Sequence, residues 1–367
     1  MTRQQETPVE TSVGAAALAA CPSRPLIDIR TPRERQLGVP TAAISMDAGE
    51  LRLSLEREEF PASGGFIICA EGIRSLAAVQ QLRAAGFLGF SSVAGGFQAW
   101  QQAGLPVGYP AGFDAAQADR YARHLVMPQI GPEGQRKLLR TRVLLVGLGG
   151  LNSPVALYLA AAGVGVLGLA DFDRVERSNL QRQILHGERQ LGVSKVLSAQ
   201  DRIGDLNPDV ETVLYPNKVT ADNADALVES WDIVVDGTDS FASRYALNDA
   251  CVRQQKPLVY GAVMRFQGQV SVFWPARQQA VRAPCFRCLF PQEPAAGDTP
   301  GCAEAGVLGV LPGIVGTLQA NEALKLALGI GQPLTGNLLM IDALNMEFRK
   351  MQLPADPGCP SCGLQGP

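Results

Sequence analysis

The sequence predicts an α/β protein: a small α/β domain, then a larger one built on a mostly parallel, doubly wound sheet. Three observations carry this. Arg142 leads into the apolar run 143–146, the turn Gly147-Leu148-Gly149-Gly150, an Ala/Leu-rich helical stretch, and a second apolar run ending at Asp171-Phe172-Asp173. A further run, 231–235, also ends in acids, at Asp236-Gly237-Thr238-Asp239. Upstream, residues 25–107 alternate short strand-like and helix-like segments.

With 367 residues, the length favours two or three domains. A hydrophobic fraction of 46% against 18% charged marks a globular chain. Lys plus Arg (32) nearly balances Asp plus Glu (35), so neither nucleic acid nor an anionic membrane is expected as a partner. No apolar run reaches the roughly 18–20 residues of a membrane span. The richest, 305–318, is broken by Gly306, Gly309, Pro312, Gly313 and Gly316. The alanine patch 14–20 follows Glu6 and Glu10 with a single Arg3, the wrong charge for a signal peptide. Residues 1–23 therefore read as a mobile tail of a cytoplasmic protein. Eight cysteines, with two C-x-x-C pairs, point to metal or catalysis before disulfides.

Residues 24–108 form the first domain. Residues 26–30 read as a strand, and Thr31 and Pro32 suit the N-cap and first turn of a helix. The strand 65–68 lands on Cys69, whose loop, Cys69 to Ser75, leads into a helix over 76–85; a last strand follows at 91–93. Loop N–H groups and a helix N-terminus stabilise an anion there, lowering the thiol pKa, and Arg74 adds a cation at the mouth. The opposing reading is a buried, inert cysteine. These pieces resemble a single-domain rhodanese: Asp28-Ile29-Arg30 with Glu34 and Gly38, the loop C-x-x-G-x-R, the segment GGFQAW, and Gly104-Leu105-Pro106. The resemblance implies a persulfide on Cys69, recharged by an upstream persulfide donor. One departure is the stretch Gly38-Val39-Pro40-Thr41-Ala42, which lacks the family's histidine. Turn-forming residues 108–112 mark the boundary.

Residues 109–367 form the second domain. Gly147, Gly149 and Gly150 let backbone N–H groups approach phosphates, the next helix offers its N-terminus, and Asp171 can accept from ribose hydroxyls. Strand ends of a doubly wound sheet converge on one crevice, so Gly147, Asp171 and Asp239 should share it. The same element would serve an NAD-dependent dehydrogenase, and alone it is weak evidence. Hydride transfer, however, has no demand for arginines, a lysine and a second acid around phosphates. Adenylation has: charge at the α-phosphate must be stabilised and an acid is needed for magnesium.

The wider set of motifs resembles the ThiF/MoeB family, bacterial relatives of ubiquitin-activating enzymes. It comprises R-Y-x-R at 120–123, G-x-G-G-L-x-S at 147–153, D-F-D-x-V-x-x-S-N-L-x-R-Q at 171–183, Gly192 with Lys195, and D-x-T-D at 236–239. It continues with Cys302-Ala303-Glu304-Ala305-Gly306-Val307 and a glycine-rich helix over 313–328. The resemblance implies a Rossmann-like adenylation domain that uses ATP and Mg²⁺. In it Asp171 holds the ribose, Arg182, Gln183 and Lys195 contact the phosphates, and Asp239 holds Mg²⁺. Arg123 reaches the other subunit's site in a homodimer. Cys302, which as a lone cysteine beside Glu304 could be inert, lies by the resemblance in a crossover loop over the adenylate site, where some members use it to take the acyl group or the sulfur. Two departures are Asn152 for the glycine after Leu151, expected to border the phosphates, and Ser240 for the asparagine after D-x-T-D.

Cys285-Phe286-Arg287-Cys288 and Cys359-Pro360-Ser361-Cys362 form two knuckles suited to a four-thiolate structural Zn²⁺, with disulfides or a redox pair as alternatives. The two resemblances together imply an enzyme that adenylates the C-terminal Gly-Gly carboxylate of a small ubiquitin-like sulfur-carrier protein and delivers sulfur from Cys69, directly or by way of Cys302. The rivals are an NAD-dependent oxidoreductase with a rhodanese appendage and a carrier-binding adaptor whose ATP site has decayed.

Overall fold

The computed structural model describes residues 8–21, 24–41, 43–57, 64–276, 282–293 and 306–363. It divides into two compact units, Met1–Gln135 and Arg136–Pro367, later in the chain than the turn-rich segment at 108–112 predicts.

The first unit runs β1 (Glu10–Thr11), α1 (Val13–Ala19), β2 (Leu26–Asp28), α2 (Pro32–Arg35), β3 (Val39–Pro40), β4 (Ala43–Ser45), α3 (Ala48–Glu56), β5 (Gly65–Ile68), α4 (Ile73–Ala84), β6 (Phe90–Val93), α5 (Gly96–Gln102) and β7 (Val107–Gly108). Two short helices follow, α6 (Ala115–Arg120) and α7 (Ala122–Leu125); α8 (Gly131–Arg140) spans the division between the units. The main sheet is parallel throughout, in the order β1-β6-β5-β2-β4. Its central strands β2 and β5 are buried on both faces, because helices cover both. Ile27 and Ile67 enter one buried cluster with Leu51, Val79 and Leu82. Leu26, Phe66 and Ile68, pointing the other way, join Phe97 and Trp100 in a second. Thr31 caps α2 as expected, in a capping box completed by Glu34.

The mobile tail expected over 1–23 is corrected for residues 10–19. Glu10 and Thr11 pair in parallel with Ser92 and Val93, Ser12 caps α1, and Ala16 is fully buried in the second cluster. A two-residue strand and a run of alanines carry no hydrophobic period. They are ordered by the sheet edge and by the cluster around Trp100.

The second unit opens with β8 (Arg142–Val146), α9 (Asn152–Ala162), β9 (Val166–Ala170), α10 (Lys195–Leu206), β10 (Glu211–Tyr215), α11 (Ala224–Val228), β11 (Ile233–Asp236) and α12 (Phe241–Arg253). It continues with β12 (Leu258–Met264), β13 (Gln267–Phe273), α13 (Phe286–Leu289), α14 (Val310–Leu328), β14 (Asn337–Asp342) and β15 (Glu347–Gln352). The sheet order is β10-β9-β8-β11-β12-β13-β14-β15: the first five strands are parallel, the last three antiparallel. The mostly parallel, doubly wound sheet is as predicted. The chain winds outward to β9 and β10, returns past β8 and continues through β11, so the strand order reverses between β8 and β11. Ligands of such sheets bind there, outside the carboxyl ends. Among the described residues no helix is long and apolar enough to cross a membrane.

Candidate active site

In the first unit the end of β5 presents the Cys69 sulfur to the start of α4. Gly72 N, Ser75 N and the Ser75 hydroxyl donate to it at 3.2, 3.3 and 3.4 Å. Burial by itself would raise this thiol. Hydrogen bonds from the Ser75 hydroxyl and from the backbone of Ser75, Glu71 and Gly72 outweigh it and hold the pKa below the ordinary 9.0. Arg74, expected as the cation at the mouth, is engaged by the Glu34 carboxylate, with Nη1 donating to Oε2 at 3.1 Å. That pairing holds the Glu34 carboxyl down at about 2. The sulfur's anion cradle is thus supplied by Ser75 and the loop backbone. Ser75 stood in the quoted loop without a role, since only the fold turns its hydroxyl inward.

In the second unit a cleft of about 530 Å³ opens at the carboxyl ends of β8, β9 and β11. Gly147, Gly149, Gly150, Asp171, Arg182, Gln183, Lys195 and Asp239 all line it. Gly147 has φ of 78°, and a Cβ there would come within 2.8 Å of the Gly237 carbonyl, so the turn admits no side chain. Asp171 accepts from Leu148 N at 2.7 Å and from Asp173 N at 2.8 Å. These use two of about four acceptor sites on its carboxylate and leave the rest for a ligand. The buried Lys195 ammonium sits 3.0 Å from Asp173 and 4.0 Å from Asp171. Arg182 is steadied by Ser178 O at 3.3 Å and Asn179 Oδ1 at 3.1 Å, and the buried Gln183 Oε1 has no hydrogen-bond partner. Asp236 accepts from Thr238 N at 2.8 Å and Thr238 Oγ1 at 2.7 Å, a turn that leaves Asp239 exposed at the cleft. Cys302 lies outside the described residues. Arg123 is exposed on α7, in the first unit.

The two departures sit at intact helix starts, with the buried Asn152 Oδ1 left without a hydrogen-bond partner. Asn152 begins α9 in right-handed helix, and its amide turns inward, donating to Val146 O at 3.0 Å and Gly147 O at 2.8 Å. The expectation that its side chain borders the phosphates is corrected. Its amide fills the space beside Gly237, where a Cβ would come within 2.5 Å of it, and pins β8 to β11. Ser240 keeps the N-cap of α12, accepting from Ser243 N at 3.2 Å.

Sequence reasoning missed three groups. Arg244, on the first turns of α12, lines the cleft; it donates to Thr238 O at 2.7 Å and lies 3.6 Å from the buried Asp236 carboxylate. Burial raises the Asp236 carboxyl despite that cation. Phe172, 57% exposed, also lines the cleft, with Lys218 Nζ 5.7 Å from its ring centroid. His186 is the third: its Nε2 lies 2.9 Å from Leu148 O and its Nδ1 2.8 Å from Ser198 Oγ. A carbonyl only accepts, so Nε2 carries the proton and Nδ1 accepts from the serine. The Leu148 peptide of the glycine turn is thereby held from both sides, by Asp171 at N–H and by His186 at C=O.

Burial lowers the His186 pKa first, and Lys195 lowers it further. As pH falls, the unfolded chain's imidazole takes a proton near 6.5 while the folded one stays neutral. Stability present above about pH 6.5 should therefore drain away as pH drops towards the lowered folded value. Thermal melts between pH 7.5 and 5.5 should show a steeper loss in wild type than in His186→Gln. Parallel slopes would refute this account of the histidine.

The four knuckle cysteines converge. They are free thiols whose sulfurs all lie within 4.8 Å of one another, with Cys285–Cys359 at 3.6 Å and Cys288–Cys362 at 3.5 Å. Zn–S bonds of about 2.3 Å in a tetrahedron need sulfurs about 3.8 Å apart, so the donor set fits.

The fold and cleft define a nucleotide-binding α/β enzyme, with a separate unit that carries an anion-stabilised cysteine. The chain belongs to the ThiF family, whose model matches residues 121–361, and a rhodanese-like domain matches residues 14–103. It is 51% identical over 247 residues to the sulfur carrier protein adenylyltransferase of Thermus thermophilus, covering 67% of this chain and 91% of that one. It is 46% identical over 241 residues to the probable adenylyltransferase/sulfurtransferase MoeZ of Mycobacterium tuberculosis, covering 66% of this chain and 61% of that one. Among solved structures, E. coli MccB with ATP shares the fold at a TM-score of 0.57 and 20% identity, over 73% of this chain and 85% of that one.

Proposed function

We propose that this chain uses ATP to adenylate the C-terminal Gly-Gly carboxylate of a small ubiquitin-like sulfur-carrier protein and then converts the acyl adenylate to a thiocarboxylate with sulfur from Cys69. The observation that carries the reading is the cleft at β8 and β11, where Asp171, Arg182, Gln183, Lys195 and Asp239 meet around the glycine turn. A carboxylate oxygen of the carrier attacks the α-phosphorus, and pyrophosphate leaves. Lys195 and Arg182 offset the charge that grows on the phosphates, Gln183 lends a polar contact, and Asp171 takes the ribose hydroxyls. Asp239 is the acid that would hold Mg²⁺, which supplies further charge neutralisation.

The terminal sulfur of a Cys69 persulfide then attacks the acyl carbon, and AMP leaves. A second thiol attacks the Cys69 sulfur, forming a disulfide with it and releasing the carrier thiocarboxylate. Cys302 is our candidate for that thiol. A cellular thiol reduces the disulfide, and an upstream persulfide donor reloads Cys69. Carrying both sites on one chain raises the effective concentration of sulfur at the adenylate. In this reading the chain acts in the cytoplasm as a homodimer, with Arg123 completing the partner subunit's cleft, and the thiolate quartet holds a structural Zn²⁺. Incorporation of labelled pyrophosphate into ATP is the test: exchange is expected with a Gly-Gly-ended carrier and absent without it. No exchange under either condition would sink the reading.

A further inference from the structure

Helix α12 has different neighbours at its two ends. Its first turns, from Ser240 to Arg244, line the nucleotide cleft. Two turns on, Asn248 and Asp249 face the cysteine knuckles. Arg287, between Cys285 and Cys288, donates to both oxygens of Asp249, at 2.8 and 2.7 Å. Ser361, between Cys359 and Cys362, donates to the same carboxylate at 2.7 Å. Asn248 repeats the pattern: its Oδ1 accepts from Phe286 N at 2.8 Å and its Nδ2 donates to Ser361 Oγ at 3.2 Å. One carboxylate therefore grips the middle of both knuckles, which lie 74 residues apart in the chain.

The first knuckle also reaches the cleft by packing. Phe286 is 1% exposed, and its ring centre lies 5.2–6.3 Å from those of Phe290, Tyr245, Tyr260 and Phe241. Phe241, Tyr260 and Phe290 are themselves cleft residues. Arg287 lies over the Tyr245 ring at 4.2 Å, one turn of α12 before Asp249. Charge-assisted, two-point bonds such as Arg287–Asp249 fix orientation as well as distance.

We propose that Asp249 is the positioning residue that clamps both knuckles onto α12, so that metal retention and the shape of the nucleotide cleft are set through one helix. The inference rests on the zinc reading above. It is tested on the full chain purified with zinc, first by metal content and then by the rate of zinc release to a chromophoric chelator. Asp249→Asn keeps the side chain's size and removes its charge. Release is expected to accelerate about 10-fold or more, the usual scale for loss of an outer-shell partner. In the exchange assay the same variant should raise KM for ATP severalfold while kcat stays near wild type. Ser361→Ala loosens the second knuckle alone and should show both effects in milder form; it serves if Asp249→Asn does not fold. A wild-type chain without zinc overturns the zinc reading and this inference with it. Wild type near one zinc per chain, with release unchanged in the variants, overturns the inference alone. Faster release with an unaltered KM for ATP overturns the coupling to the cleft.

Discussion

Cys69→Ala is expected to abolish carrier thiocarboxylate formation while carrier-dependent ATP–pyrophosphate exchange continues at the wild-type rate. Every hydrogen bond to the sulfur comes from within its own loop and the first turn of α4, so the substitution removes a nucleophile without touching the adenylation cleft. Hydrogen bonds from Gly72 and Ser75 favour the ionised form of this sulfur, the form that carries and transfers sulfur. Mass spectrometry of the carrier reads the outcome directly. Addition of one sulfur in place of one oxygen should disappear, and acyl adenylate should accumulate. Loss of exchange as well would contradict the division of labour between the two units.

Arg182→Ala and Asp239→Ala should each have the opposite signature, stopping exchange and leaving Cys69 able to accept sulfur. Arg182 is held at the cleft by Ser178 O and Asn179 Oδ1, so its charge is placed before substrate arrives. Loss of one pre-placed stabilising group costs roughly 10²–10³-fold in rate. Asp239 projects from the turn that Asp236 organises, and its loss removes the proposed hold on Mg²⁺. Exchange should therefore fall at least about 100-fold in either variant. Transfer of sulfur from a small persulfide donor to Cys69, read by labelling, should stay within about twofold, because the cleft supplies none of that loop's hydrogen bonds. Near-normal exchange in both variants would remove these residues from the mechanism.

Much of this was legible in the chain itself. Apolar runs ending in Gly147 and Asp171 named the crevice because strand ends must converge at the switch of a doubly wound sheet. The C-x-x-C pairs named their own partnership, since four thiolates suit one tetrahedral ion. Asn152 is read less well from spacing, because a side chain's direction is set by its neighbours: the Val146, Gly147 and Val235 carbonyls draw its amide inward. His186, Arg244 and Asp249 were missed because each acts through contacts that have no sequence period.

The sequence alone determined the fold class, the glycine-turn crevice, the loop cysteine at the end of β5 and the pairing of the two C-x-x-C knuckles, because glycine turns, strand-end acids and paired cysteines are local patterns with few physical uses. Tertiary structure alone decided that residues 10–19 are ordered, that the Ser75 hydroxyl turns in to the Cys69 sulfur, and that α12 links the four cysteines to the cleft. Those outcomes depend on long-range packing and on where buried polar groups find partners, which spacing along the chain does not encode.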